Sequence, residues 1–212
     1  MKTTKSILFF GLLALTSCNL SNVNPDKALG GDPLALAQEG NTFRVYTALE
    51  GVGISDVKVA DVSADGVSTT TLNINVTNEK LLQWRDSFPY LNNVNGNSAE
   101  LNLPGRVTTE GIQSVHNGDN FTLIKFDAKV GDKYQGKING KTVVREVMSK
   151  STEDDYAYGF FDIKVYRIEE RGLGLPGLQK INYYVNHRFG IVGIEAVFED
   201  GSTEKVSVFS DN

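Results

Sequence analysis

Two histidines, one cysteine and one run of carboxylates are the side chains of this chain with the most chemistry to offer. His116 sits beside Asn117-Gly118, a turn signal, and reads as solvated. His187 continues the alternation of Ile181, Tyr183 and Val185, which places it on their apolar face as a hydrogen-bonded core residue. A zinc site needs about four ligands at close quarters. No spacing of His, Cys, Asp and Glu offers them, so no metal is expected. Ser151-Thr152-Glu153-Asp154-Asp155-Tyr156 concentrates three carboxylates. Calcium takes about six to eight oxygens, but the segment lacks the alternating ligands and the glycine of an EF-hand, and it reads as a solvated loop. A glycan hydrolase could draw a pair from Glu153, Asp154 and Asp155; adjacent side chains on a strand or loop point apart, so this is the least favoured reading. No Gly-x-Ser-x-Gly elbow is present. Gly172-Leu173-Gly174-Leu175-Pro176-Gly177 has the glycine spacing of a dinucleotide loop. A helix N-terminus must follow such a loop to face the pyrophosphate, and here Pro176 and a strand from about Gln179 follow instead. It reads as a hairpin loop. The chain is therefore expected to be no enzyme, with no catalytic residue and no cofactor.

The cysteine has a different context. Lys2 and Lys5 precede Ile7–Leu15 (ILFFGLLAL), an apolar run of nine residues. A spanning helix needs about 20 apolar residues, so the pattern is that of a cleavable secretory signal over residues 1–17. Leu15-Thr16-Ser17-Cys18 resembles the bacterial lipobox. That resemblance implies a diacylglyceryl group on the Cys18 thiol, cleavage before Cys18 and acylation of the new amino terminus. Two or three acyl chains on one residue anchor stably where one holds only weakly. The lone thiol also excludes a disulfide framework, which a chain of this length does not need for its core.

Removing residues 1–17 leaves 195 residues with 19 basic and 26 acidic side chains, a formal charge of −7. Phosphate binding needs clustered Lys and Arg, so nucleic acid is excluded as a partner. The length fits one domain of ordinary size.

Residues 18–41, rich in Asn, Asp, Gly and Pro, read as the lipidated N-terminus and a flexible tether, with a root-mean-square span of roughly 25 Å if it is a free coil. Leu34–Gln38 can form one helical turn. Residues 42–212 read as a β-rich domain. Leu72, Ile74 and Val76, then Ile124 to Val130, then Ile181, Tyr183 and Val185 alternate with polar residues, which puts one strand face on a core. Further strands are expected at Phe43–Leu49, Asp56–Val62, Val107–Val115, Thr142–Ser149, Phe160–Glu170, Ile191–Glu199 and Glu204–Phe209. Asp65-Gly66, Asn117-Gly118, Asn139-Gly140 and Asp200-Gly201 are hairpin turns. Asn92–Gly105 reads as a long loop. Asn78 can cap a helix over Glu79–Phe88, with Leu81, Trp84 and Phe88 on one face and Pro89 as its stop. The fold class is mainly β: an antiparallel meander, a curved sheet or open barrel with one short helix packed on it.

Val130-Gly131-Asp132-Lys133-Tyr134, the stretch Val143–Asp155 (VVREVMSKSTEDD) and Asn186-His187-Arg188-Phe189-Gly190-Ile191-Val192-Gly193 are similar to segments of a group of uncharacterised β-rich lipoproteins of Bacteroidota-type bacteria, over about residues 106–209. The resemblance implies fold and location. In shape it is also similar to envelope proteins with a half-barrel sheet around a helix, a form some lipoprotein carriers use to hold acyl chains. Surface-exported lipoproteins of such bacteria tend to carry an acidic run after the cysteine; Asn19-Leu20-Ser21-Asn22-Val23-Asn24 lacks one, which implies the periplasmic face of the outer membrane. The leading expectation is a membrane-tethered binding or scaffold domain whose partner is an envelope protein or a hydrophobic small molecule. The alternative is a lipid or hydrophobic-ligand carrier, with Trp84, Tyr183 and His187 as pocket candidates.

Overall fold

The computed structural model describes residues 25–47, 50–84 and 90–211. Cys18 and the signal segment lie outside them. In chain order the strands are β1 (Phe43–Thr47), β2 (Val52–Val62), β3 (Ser68–Val76), β4 (Leu91–Asn95), β5 (Ser98–Thr108), β6 (Gly111–His116), β7 (Asp119–Lys125), β8 (Lys133–Ile138), β9 (Lys141–Lys150), β10 (Tyr156–Tyr158), β11 (Phe161–Ile163), β12 (Tyr166–Arg171), β13 (Leu178–Asn186), β14 (Gly190–Phe198) and β15 (Thr203–Ser210), with one short helix, α1 (Glu79–Leu82). Two antiparallel sheets carry the fold. The first runs β1-β15-β14-β13-β12-β9-β8; the second runs β2-β3-β5-β6-β7, with β4 also pairing β5. The chain is mainly β, as its period-two alternation requires.

Local chemistry explains the hairpins. Asn117 and Gly118 have φ of 51° and 86°, and Asn139 and Gly140 have 50° and 76°. Positive φ at both central residues is the mirror-image turn whose twist matches that of paired strands. Asn78 Oδ1 accepts from Leu81 N at 3.3 Å and caps α1 as its sequence suggests. The helix ends as an element at Leu82; Trp84 follows in a turn, and residues 85–89 lie outside the described set.

The two sheets face each other. Ile112, Leu123 and Ile124 from the second pack with Val147, Ile168 and Val185 from the first. The edges of the sheets also approach. Thr42 bridges to Lys58 beside β1 and β2, and the Phe121 ring of β7 lies so close over Gly136 of β8 that a Cβ there would meet it at 2.7 Å. The outer face of the first sheet carries a second, smaller cluster of Tyr158, Ile163, Val165 and Val192 beneath the β10–β11 hairpin.

Several boundaries differ from expectation. The alternation Ile124–Val130 is no strand beyond Lys125: Ala128 N returns to Lys125 O, and Asp132 Oδ2 accepts from Lys129 N, so the chain turns there. Val107–Val115 is split by a turn at Thr109-Glu110 into the ends of β5 and β6. Phe160–Glu170 is split between β11 and β12. Asn92–Gly105 is not a loop but most of β4 and β5; its polar Glu100 and Asn102 alternate with Ala99 and Leu101, both buried.

The N-terminal segment differs too. From Asp26 to Asn41 it docks on the domain instead of floating as tether. Asp26 N donates to Asn120 O at 3.0 Å, Thr122 N to Asp26 Oδ2 at 2.8 Å, and Leu29 N to Gln113 Oε1 at 2.9 Å. Further on, Leu34 N donates to Val107 O, and a 3-10 turn at Ala35–Ala37 buries Leu36 and Ala37. The segment thus covers Gln113 and Thr122, outward side chains of the second sheet that end up 1% and 0% exposed.

Candidate functional site

The inner faces of β3 and β5 present Ile74, Val76, Ala99 and Leu101 toward α1. With Leu81 and Trp84 above them they line an apolar pocket of about 220 Å³. Trp84 roofs it from the turn after α1. Its ring stacks on Phe198 of β14 with centroids 5.8 Å apart, and its Nε1 donates to Pro176 O at 2.8 Å. One side chain therefore ties the short helix of one sheet to the end of the other. Aromatic bodies with a satisfied polar tip suit such a half-wet position.

Tyr183 stands elsewhere. It projects from β13 into the space between the sheets, where its hydroxyl donates to Glu170 Oε1 at 3.0 Å. Glu170 also accepts from Arg145 Nε at 2.5 Å, and Arg145 Nη1 donates to Phe121 O at 2.9 Å. Burial, and then the Glu170 carboxylate, push the Tyr183 hydroxyl well above its usual range. Every polar group named here meets a partner, so the cluster reads as a cross-sheet tie.

His187 is not on the core face. β13 ends at Asn186, whose Oδ1 accepts from the amides of Arg188 and Phe189. That turn carries His187 out to an exposed position, edge-on to Phe126 at 6.4 Å. Trp84, Tyr183 and His187 therefore do not converge on one pocket. His116, expected to be solvated, is half-buried at the end of β6 and packs edge-on against Tyr90 at 5.5 Å. Glu153, Asp154 and Asp155 are exposed, with Asp155 accepting from Ser151 Oγ at 2.6 Å.

A larger cleft, of about 510 Å³, lies over β2 and β3 between Phe43, Asp56, Lys58, Asn73 and Glu100. Asp56 sits at φ 54° in an irregularity of the β2–β3 ladder. Hydrogen bonds from Asn73 and then Ser55 hold its carboxyl below the ordinary aspartate range. Asp56, Lys58 and Asn73 are all exposed, so the cleft is open and solvated. No sequence signal marks it, because it depends on that irregularity.

No protein-family model matches the chain, and no curated protein does. Among solved structures, one from Bacteroides fragilis, described as a candidate exported protein with a YmcC-like fold, aligns over 86% of this chain and 97% of its own at 10% identity and a TM-score of 0.43.

Proposed function

We propose that this chain is a lipid-anchored protein of the bacterial cell envelope, held at the periplasmic face of the outer membrane, whose β domain binds rather than catalyses. The apolar pocket under Trp84 carries the binding part of the reading. Its lining is almost wholly aliphatic and aromatic, with few polar groups to set up chemistry. Leu15-Thr16-Ser17-Cys18 supports the anchored location.

The carrier alternative is favoured by the same lining, and the volume limits it. Sites for drug-sized ligands span roughly 300–1,000 Å³. A pocket of about 220 Å³ suits a short acyl group or one large side chain of an envelope protein, not a whole diacyl lipid.

Trp84 is the chain's single tryptophan, so its emission reports on the pocket. The domain from Asn19 onward, titrated with hexanoate and with decanoate, should show a saturable change in that emission. Ala99→Leu, which fills the pocket from its floor, should weaken the response several-fold. An unchanged emission with both probes, together with a ligand-free mass for the protein purified from its host, would remove the pocket as a binding site.

A further inference from the structure

Three exposed aromatic side chains stand together on the outer face of the first sheet. Phe160 protrudes fully at 108% relative exposure, Tyr46 is 58% exposed and Phe161 53%. Phe160 and Phe161 are the tip of the β10–β11 hairpin, and a floor of rings supports them. Tyr158 stacks on Phe209 at 4.7 Å and lies 4.9 Å from Phe189. Phe161 is 6.1 Å from Phe189, and Tyr46 meets Phe209 edge-on at 5.6 Å. Single exposed apolar residues need no explanation, but a contiguous raised patch does.

Charge around the patch narrows the occupant. Arg188 lies 5.4 Å from the Phe189 ring and Lys205 4.8 Å from that of Tyr156. Arg44 stands beside Tyr46, and Lys164 is exposed directly after β11. Asp162, Asp211 and Glu195 lie near these cations, and Glu153, Asp154 and Asp155 are exposed in the loop that leads into β10. Asp211 is paired with Arg44 at 2.7 Å, and Glu195 accepts from Asn182 and Tyr184. Arg188 and Lys205 thus lie over rings of the patch and Lys164 is exposed beside it, outside the Arg44–Asp211 ion pair. Rings at headgroup depth with Lys and Arg reaching the phosphates is the arrangement found at a bilayer interface. A convex tip also suits a deformable surface better than a preformed protein pocket.

We propose that the Phe160–Phe161 tip, with Tyr46, Arg44 and Arg188, is a contact site for the surface of a phospholipid bilayer. The proposal takes from the envelope reading only the presence of a bilayer nearby. Asp26 is held at β7 by Asn120 and Thr122, so a short anchor would keep the domain close to the bilayer and a second contact at the tip would fix its orientation.

The test uses the chain from Asn19 onward, which carries no acyl group and contains the whole described core. It should sediment with phosphatidylcholine vesicles, and more strongly when phosphatidylglycerol is included. Phe160→Ser with Phe161→Ser should lower partitioning about a hundredfold or more, the scale of two buried phenylalanines, with Trp84 emission unchanged. In a Trp84→Phe background, Phe160→Trp should show a blue-shifted emission on vesicles. Absence of vesicle binding by the parent chain, or equal binding by the double variant, overturns the proposal. So does a missing blue shift. A concentration-dependent dimer that the serine variant abolishes, without vesicle binding, would assign the patch to a second copy and overturn it as well. None of these readings depends on whether Cys18 is acylated.

Discussion

Arg145 and Glu170 meet between the two sheets, with Arg145 Nε 2.5 Å from Glu170 Oε2 and only 7% and 2% of the two side chains exposed. The guanidinium also lies 3.7 Å over the Phe121 ring, so one residue of β9 touches β12 and β7 together. Removing one partner of a buried pair leaves an uncompensated charge, a loss of about 3–5 kcal/mol, whereas replacing both with apolar groups is often neutral or stabilising. Glu170→Leu should therefore destabilise by that amount in urea, and Arg145→Met with Glu170→Leu should recover most of it. A double variant as weak as the single one would show that the pair supplies more than charge balance.

The N-terminal segment rests on Gln113. Its Nε2 donates to Lys27 O at 2.8 Å and to Thr122 Oγ1 at 3.0 Å, while its Oε1 accepts from Leu29 N. Gln113→Leu removes these partners and leaves Lys27 O and Leu29 N without them. The cost should be about 1–3 kcal/mol, concentrated locally. Hydrogen exchange at Leu29 should speed up strongly while Ile168, in the main core, stays protected. Equal loosening of both would mean that the segment folds as one unit with the sheets.

Alkali tests the buried phenols. Burial, and then Glu195, raise the Tyr156 hydroxyl to about 12. Tyr90, Tyr134, Tyr158, Tyr183 and Tyr184 are raised as well, burial being the first cause in each. A folded-state pKa above the unfolded one favours the neutral phenol in the fold. That stability is complete below the unfolded value of about 10 and is lost as pH rises through the folded values. Stability should hold flat up to about pH 10 and then decline. Phenolate absorbance should appear late, together with unfolding, and Tyr156→Phe should shift the decline upward. Tyrosines that ionise near the free value without unfolding would contradict their burial.

These contacts also explain which parts of the fold the sequence made legible. Asn117-Gly118 and Asn139-Gly140 carry their turn in two residues, and Asn78 carries its cap in four, so local chemistry decides them. Ile181, Tyr183 and Val185 announce a buried face by spacing alone. Arg145 gives no such signal: beside Glu146 it looks like a solvated charge, and only Glu170, 25 residues away, makes it interior. β4 and β5 were hidden for a related reason. Asn92, Asn93 and Asn95 have the composition of a loop, and the pairing of Leu91 with Leu101 and of Ile74 with Ala99 holds them in a sheet. The docked stretch from Asp26 to Asn41 has a linker's composition, and the sheet side chain that holds it, Gln113, lies more than 80 residues further on. Of the pocket residues, Trp84 is legible as an aromatic on the apolar face of the helix expected over Glu79–Phe88. The loop that fixes it through Pro176 O was not, because the contact spans 92 residues.

The docking of Asp26 also sharpens what an anchor at Cys18 can do. A free tether through residue 41 would let the domain roam. With Asp26 fixed to Asn120, eight residue steps separate it from Cys18, at most about 29 Å when fully extended at 3.3–3.6 Å per residue. An acylated Cys18 would then keep the domain against the membrane rather than at a distance. Protein recovered from host membranes should have a mass that begins at Cys18 and includes a diacylglyceryl group, and Cys18→Ala should move it to the soluble fraction. Lengthening the chain between Cys18 and Asp26 with a Gly/Ser insert should weaken cross-linking of the domain to lipid headgroups while leaving fractionation unchanged. Membrane recovery of Cys18→Ala at the parental level would sink the anchor, and the bilayer contact of the Phe160–Phe161 tip would then have to account for it alone.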